Sequence, residues 1–219
     1  MNNIELMCGL DNNVKLLSLS IPENTDPLST ILVGFTGGLD SLFLLYLLAT
    51  LNSTQTIPYI IQPITLTGSK IASEQWQYIN PIIDYINNKT GQSMSILMVE
   101  SKESLSVAYR DILTEYSSSK LLYLGTTSLV SVLSPGYARN FPAFSTSTIQ
   151  PFKNLDKSHI IDAMIKLNLE DLIDIAPRCT VTHKYGNEAC LNYFCTERRW
   201  AYGILNRQDL LNKFISKDT

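Results

Sequence analysis

In the stretch TILVGFTGGLDSLFLLYLL, residues 30–48, a β-branched and aliphatic run gives way to a glycine turn and then to a leucine-rich run. A strand that ends in such a turn and opens a helix presents backbone N–H groups and the positive end of the helix dipole to an anion, and phosphate is the expected guest. The letters exclude two common phosphate cradles: there is no G-x-x-x-x-G-K-[ST], and GFTGGLDS lacks the spacing of G-x-G-x-x-G. The plain alternative is a tight turn that uses its glycines for geometry alone. A second cluster lies far along the chain. Residues 178–203 hold Cys179, Cys190 and Cys195, three of the four cysteines, together with His183, one of the two histidines. Three thiols and an imidazole are soft ligands in the right number for a tetrahedral structural zinc. Asn192 or water would be poorer fourth ligands than His183, and without metal the thiols would pack as small hydrophobes. The other histidine, His159, falls in a predicted helix and has no place in this set.

These groups need elements to position them. From residue 30 onward, short apolar runs alternate with helical stretches: strands over 30–35, 57–66, 93–99 and 120–125, and helices over 40–52, 74–88 and 103–116, the second closed by Gly91. Such spacing implies right-handed crossovers and a parallel sheet covered on both faces, which is an open, doubly wound α/β fold of Rossmann-like type. Two apolar runs around Asp11, Asn12 and Asn13 predict an N-terminal β-hairpin extending the sheet edge, since Asn and Asp tolerate positive φ. Residues 126–150 carry two prolines, a glycine and a single charge, Arg139, and read as an irregular segment: a lid, a binding segment or a surface loop. Asp156 is the expected N-cap of a helix in LDKSHIIDAMIKL, and the segment from 197 to about 215 reads as one further helix. With no internal repeat or low-complexity linker, residues 1–219 are read as one domain, with an N-terminal extension over 1–29 and a C-terminal segment over 178–219.

The composition narrows the chemistry. At 219 residues and 45% hydrophobic content the chain can bury a single core. Its formal charge of −3 provides no field that would gather duplex nucleic acid or an anionic membrane. No run approaches the ~18 apolar residues of a membrane span, and MNNIELMCGL lacks a basic-then-apolar leader. A soluble cytoplasmic protein acting on a small molecule is expected, in which cysteines serve metal binding or remain free thiols.

Thr36-Gly37-Gly38-Leu39-Asp40-Ser41 resembles the S-G-G-x-D-S signature of the PP-loop ATP pyrophosphatase superfamily, with threonine for the first serine. That resemblance implies the adenine nucleotide alpha hydrolase type of fold. It also implies a loop that grips the pyrophosphate of ATP while the α-phosphate is attacked, leaving an adenylylated substrate. It assigns Phe35, Thr36, Gly37, Gly38, Leu39, Asp40 and Ser41 to the nucleotide, together with Leu66 and Gly125. Gly37 and Gly38 let the backbone approach phosphate, Thr36 and Ser41 donate hydroxyl hydrogen bonds, and Asp40 caps the helix or helps hold Mg²⁺. QPFKNLDKSHI, residues 150–160, resembles the segment in which a proline after a strand leads to a lysine-bearing helix; Lys157 would neutralise developing phosphate charge. Asp40, Ser41 and Lys157 are then the catalytic set, against the plainer reading of Lys157 as a solvated lysine.

The tail narrows the resemblance to the 7-cyano-7-deazaguanine (preQ0) synthases, whose signature is a cysteine, a gap, then C-x-x-C-x-x-C followed by x-x-R. Arg178-Cys179 matches the first cysteine, Cys190 the start of the triplet, and Cys195-Thr196-Glu197-Arg198 the last cysteine and arginine. Asn192 or Tyr193 stands where the middle thiol would be, and the spacing from Cys190 to Cys195 is one residue short. The resemblance implies conversion of 7-carboxy-7-deazaguanine, with ATP and ammonia, to the nitrile or its amide, with ATP, Mg²⁺ and Zn²⁺ as cofactors and a homodimer as assembly. Arg178, Arg198 and Arg139 would take the substrate carboxylate and Trp200 would lie near its ring. The plainer reading of Arg198 and Arg199 is a solvated helix start. A tRNA-modifying or deazaguanine-conjugating PP-loop enzyme, and a nucleotide-binding module without catalysis, are the alternatives. Neither a membrane nor stable nucleic-acid binding is expected.

Overall fold

The computed structural model of the chain describes residues 3–23, 25–26, 28–67, 72–101, 103, 105–115, 121–130, 132–133, 148–176 and 193–216. Its centre is β3 (Thr30–Gly34), whose apolar run is buried as expected of a strand covered on both faces. Around it lie β4 (Ile60–Thr67), β5 (Leu97–Glu100), β6 (Leu121–Leu124) and the two-residue β7 (Thr148–Ile149). All pair in parallel, in the order β5-β4-β3-β6-β7. The doubly wound α/β prediction is what the chain adopts. β7 lies within the segment read as irregular over 126–150; two residues carry no period of their own, and only pairing with β6 makes them a strand.

Helix α1 (Leu39–Ser53) follows β3, α2 (Ala72–Thr90) follows β4, and α3 (Leu105–Glu115) follows β5. The two faces of the sheet separate cleanly. Ile31 and Val33 join α1 and α2 residues in the main core, while Leu32, Ile64, Leu122 and Leu124 pack with Tyr109 and Ile112 of α3. Because β4 and β5 step away from β3 on one side and β6 returns on the other, the connections reverse between β3 and β6. Open α/β sheets bind ligands at the carboxyl ends of the strands at such a reversal. α1 is buried nearly all round, which is why its sequence is leucine-rich without an amphipathic stripe.

The hairpin is present as β1 (Asn3–Cys8) and β2 (Lys15–Ser20), antiparallel with Asn3 opposite Ser20 and Cys8 opposite Lys15, and a 3-10 turn over Asp11–Asn13. It does not extend the edge of the main sheet; it forms a separate two-stranded sheet. Cys8, Leu17 and Leu19 alternate inward and are buried, so the hairpin gains more by covering helices than by adding to an edge.

Helix α4 (Lys157–Lys166) begins where expected, with the Asp156 carboxylate accepting from the N–H groups of Ser158 and His159. A short helix, α5 (Glu170–Ile175), follows. The single terminal helix expected over 197–215 is two: α6 (Tyr193–Ile204) and α7 (Gln208–Ser216). They break at Asn206, which takes a φ of 52°, and the Arg207 N–H closes the end of α6 on the Tyr202 carbonyl. No helix among the described residues is long and apolar enough to cross a membrane.

Candidate active site at the strand reversal

The glycine turn occupies the carboxyl end of β3. Gly37 has a φ of +75°, a conformation open to glycine at little cost. The strand end is pinned from β4: Phe35 N–H donates to the Ile64 carbonyl at 2.7 Å, and Thr65 Oγ1 donates to the Phe35 carbonyl at 2.6 Å. Within the turn, Ser41 Oγ donates to the Gly38 carbonyl at 3.0 Å and accepts from the Thr36 N–H at 3.2 Å. Thr36 Oγ1 accepts from the Gly38 N–H at 3.3 Å. The two hydroxyls therefore hold the turn in shape. Gly38 is the N-cap and offers no capping side chain. The first i to i−4 bond of α1 runs from Leu42 N–H to the Gly38 carbonyl, so the N–H groups of Leu39, Asp40 and Ser41 precede the helical ladder and remain suited to an anion.

Gly125, at the end of β6, lies against this helix start. A Cβ there would stand 2.8 Å from the Asp40 carbonyl oxygen and 3.0 Å from Ser41 Cα, so only glycine allows β6 to approach α1 so closely. Asp40 is the centre of the polar cluster. Lys157 Nζ lies 2.5 Å from both of its carboxylate oxygens, and Thr127 Oγ1 donates to Oδ2 at 3.3 Å. The lysine side chain is only 6% exposed, against 20% for the aspartate. A second carboxylate, Glu197 of α6, stands 3.8 Å from the same Nζ and is 2% exposed. Glu197 Oε1 accepts from Tyr193 Oη at 3.4 Å, and Tyr193 Oη accepts from the Val130 N–H at 3.0 Å.

The capping of α4 places Lys157. His159 is fully buried, with Nδ1 2.8 Å from Asp156 Oδ1 and Nε2 2.8 Å from the Asn13 carbonyl of the hairpin turn. A carbonyl only accepts, so Nε2 carries a proton. Burial pushes the Asp156 carboxyl upward, but hydrogen bonds from His159 and Ser158 outweigh it and hold the group at about 2. Gly9 N–H donates to Asp162 at 2.7 Å and Lys166 Nζ to the Met7 carbonyl at 3.0 Å, so the hairpin grips α4 at several points.

The structure thus brings together Thr36, Gly37, Gly38, Asp40, Ser41, Gly125 and Lys157 of the residues expected from sequence. Phe35 and Leu39 put their side chains in the core, so they can reach a ligand only through backbone atoms. Leu66 packs beside the α3 cluster. Arg198 is neither solvated nor in contact with Asp40 among the described bonds: it donates from Nε to Tyr202 Oη and from Nη2 to the Ile173 carbonyl, both at 2.8 Å. Its guanidinium lies 5.0 Å from the Phe214 ring centroid, joining α5, α6 and α7. Trp200 is partly buried against the main core. Arg139, Arg178, Cys179, His183 and Cys190 lie outside the described residues. Cys195 is buried, and among the described residues no group of three or more His, Cys, Asp or Glu side chains is placed to hold a metal. Thr127 and Glu197 were not singled out from sequence, because each meets the site from an element whose packing no local pattern specifies.

No protein-family model matches the sequence, and no curated protein matches it. Solved structures similar in backbone include the following three. The U34-tRNA thiolase NcsA from Methanococcus maripaludis, with its [4Fe-4S] cluster, is 14% identical over 87% of this chain and 71% of its own, with a TM-score of 0.47. An NMN synthetase from Francisella tularensis is 15% identical over 87% of this chain and 85% of its own, with a TM-score of 0.45. An FMN adenylyltransferase from Candida glabrata is 17% identical over 63% of this chain and 48% of its own, with a TM-score of 0.41.

Proposed function

We propose that the chain is an ATP-dependent enzyme of the PP-loop type that adenylylates a carboxylate, and that its substrate is 7-carboxy-7-deazaguanine, converted with ammonia to the amide or to the nitrile preQ0. The observation that supports this best is the ion pair of Lys157 with Asp40 at the start of α1, directly after the glycine turn and at the point where the strand connections reverse. A buried ammonium beside an uncapped helix N-terminus suits a group that gains negative charge as a bond to phosphorus breaks.

In this reading the N–H groups of the turn hold the terminal phosphates of ATP, and Lys157 exchanges part of its contact with Asp40 for the pyrophosphate that leaves. The substrate carboxylate attacks the α-phosphate, giving an acyl adenylate and pyrophosphate. Ammonia then displaces AMP to give the amide; a second ATP adenylylates the amide oxygen with release of pyrophosphate, and departure of that oxygen in AMP, with loss of the protons on nitrogen, gives the nitrile. Mg²⁺ suits the Asp40 carboxylate, which would have to share its oxygens between the cation and Lys157. When bound, the ion would offset phosphate charge. Zinc, with Cys179, His183, Cys190 and Cys195 as ligands, and Arg178 and Arg139 as carboxylate partners belong to the proposal alone.

The test is pyrophosphate release from ATP with and without 7-carboxy-7-deazaguanine and ammonium, with mass spectrometry of the products. Release that depends on the deazaguanine, with an amide or nitrile product, is expected. Release with another acceptor only would keep the adenylylating enzyme and replace the substrate. ATP binding with no release under any condition would leave a nucleotide-binding module.

A further inference from the structure

Lys157 has two carboxylates beside it among the described residues, and only one of them belongs to the glycine turn. Asp40 comes from the start of α1; Glu197 comes from α6, on the far side of the chain from α1 in sequence. Glu197 is 2% exposed, and burying a carboxylate this completely is costly unless charged and hydrogen-bonding partners compensate. Its partners include the Lys157 ammonium at 3.8 Å and the Tyr193 hydroxyl at 3.4 Å. The tyrosine is itself fixed by the Val130 N–H, five residues beyond Gly125. A chain of polar contacts therefore runs from the segment after β6, through Tyr193 and Glu197 of α6, to Lys157 and Asp40.

We propose that Glu197 is a positioning residue for Lys157. It holds the ammonium at the mouth of the glycine turn when Asp40 is engaged elsewhere, and so couples α6 to the phosphate-binding loop. At 3.8 Å the carboxylate is near enough to attract the lysine strongly in a poorly solvated setting, yet longer than the 2.5 Å contact to Asp40. Lys157 can accordingly loosen its hold on Asp40 without losing every anionic neighbour. This inference rests on the nucleotide reading above only for what Lys157 then neutralises; the position of the lysine is a property of the protein without ligand.

Two measurements separate the two. The first needs no nucleotide: the ammonium of a buried, ion-paired lysine gives a resolved ¹H–¹⁵N signal at low temperature, assigned here by its loss in Lys157→Met. Glu197→Gln should shift that signal or broaden it away, and Glu197→Asp should retain it. An unchanged signal in a folded Glu197→Gln protein would overturn the proposal. The second is calorimetric titration with ATP. Glu197→Gln is expected to weaken binding about tenfold, Glu197→Asp to restore part of it, and Ala201→Gly, which removes one buried methyl group from the same helix, to leave it as in the natural chain. Equal losses in Glu197→Gln and Ala201→Gly would reduce Glu197 to a packing residue and overturn the proposal. If the unaltered chain binds no ATP the nucleotide reading fails, and the ammonium signal still decides the role of Glu197. Should Glu197→Gln not fold, Glu197→Asp decides alone: a retained but displaced signal supports the role, and an unmoved one overturns it.

Discussion

Asp40 and Lys157 stand 117 residues apart in the chain and meet at 2.5 Å, both carboxylate oxygens facing one buried ammonium. Neither charge is well solvated, so each depends on the other. Replacing Lys157 by Met leaves Asp40 without its main counter-charge and should cost about 2 to 4 kcal/mol of stability, read by chemical denaturation. Combining it with Asp40→Asn should recover part of that loss, a coupling of about 1 to 3 kcal/mol in a double-mutant cycle. Strict additivity of the two changes would mean that the contact contributes nothing.

The approach of β6 to α1 depends on the absence of one side chain. Gly125→Ala would set a methyl group against the Asp40 carbonyl and Ser41 Cα, backbone atoms that cannot turn aside. It should lower stability by about 2 kcal/mol and weaken ATP binding with it. Gly203→Ala is the control. That glycine lies in α6 with nothing within 4 Å of a new Cβ, and the change should raise stability by about 0.5 to 1 kcal/mol. Thermal melts of the two variants should therefore move in opposite directions.

The capping of α4 should be visible as a dependence on acid. Asp156 is held at about 2, below the ordinary aspartate range, by His159 and Ser158 against the effect of burial. A carboxylate whose folded value is depressed stabilises the fold above its unfolded value, and that stability is lost as pH falls through the folded one. About 2 kcal/mol should thus disappear between roughly pH 4 and pH 2. Denaturation midpoints for Asp156→Asn should be flatter over the same window than those of the unaltered chain.

Arg198 offers a direct comparison between a structural and a substrate role. Its fork reaches Ile173 and Tyr202 and its plane lies near Phe214, none of which a lysine can reproduce together. Arg198→Lys should therefore destabilise the fold by about 1 to 3 kcal/mol. A variant of unchanged stability that fails only in carboxylate binding would return the residue to the substrate.

What the sequence determined by itself was whatever is written within a few consecutive residues. The β-branched run, the glycines at 37 and 38 and the following leucines specify a strand, a turn and a helix, because φ preferences and side-chain period act locally. The Asp156 cap was legible for the same reason; the hairpin turn forms at Asp11–Asn13 as expected, but its positive φ falls at Gly9 and not at the Asp or Asn residues that pointed to it. The two-residue β7, the break at Asn206 and the inward turn of Arg198 were not, since each is decided by what packs beside it.

The resemblance grouped Lys157 with Asp40, but tertiary structure decided that the two would pair directly, and it alone brought Thr127 and Glu197 to join them. Apolar helix faces look alike in sequence, so which of them meet is settled only when the whole sheet and its covering helices close together. The polar groups carried on those faces are then brought side by side by packing, and no spacing along the chain records it.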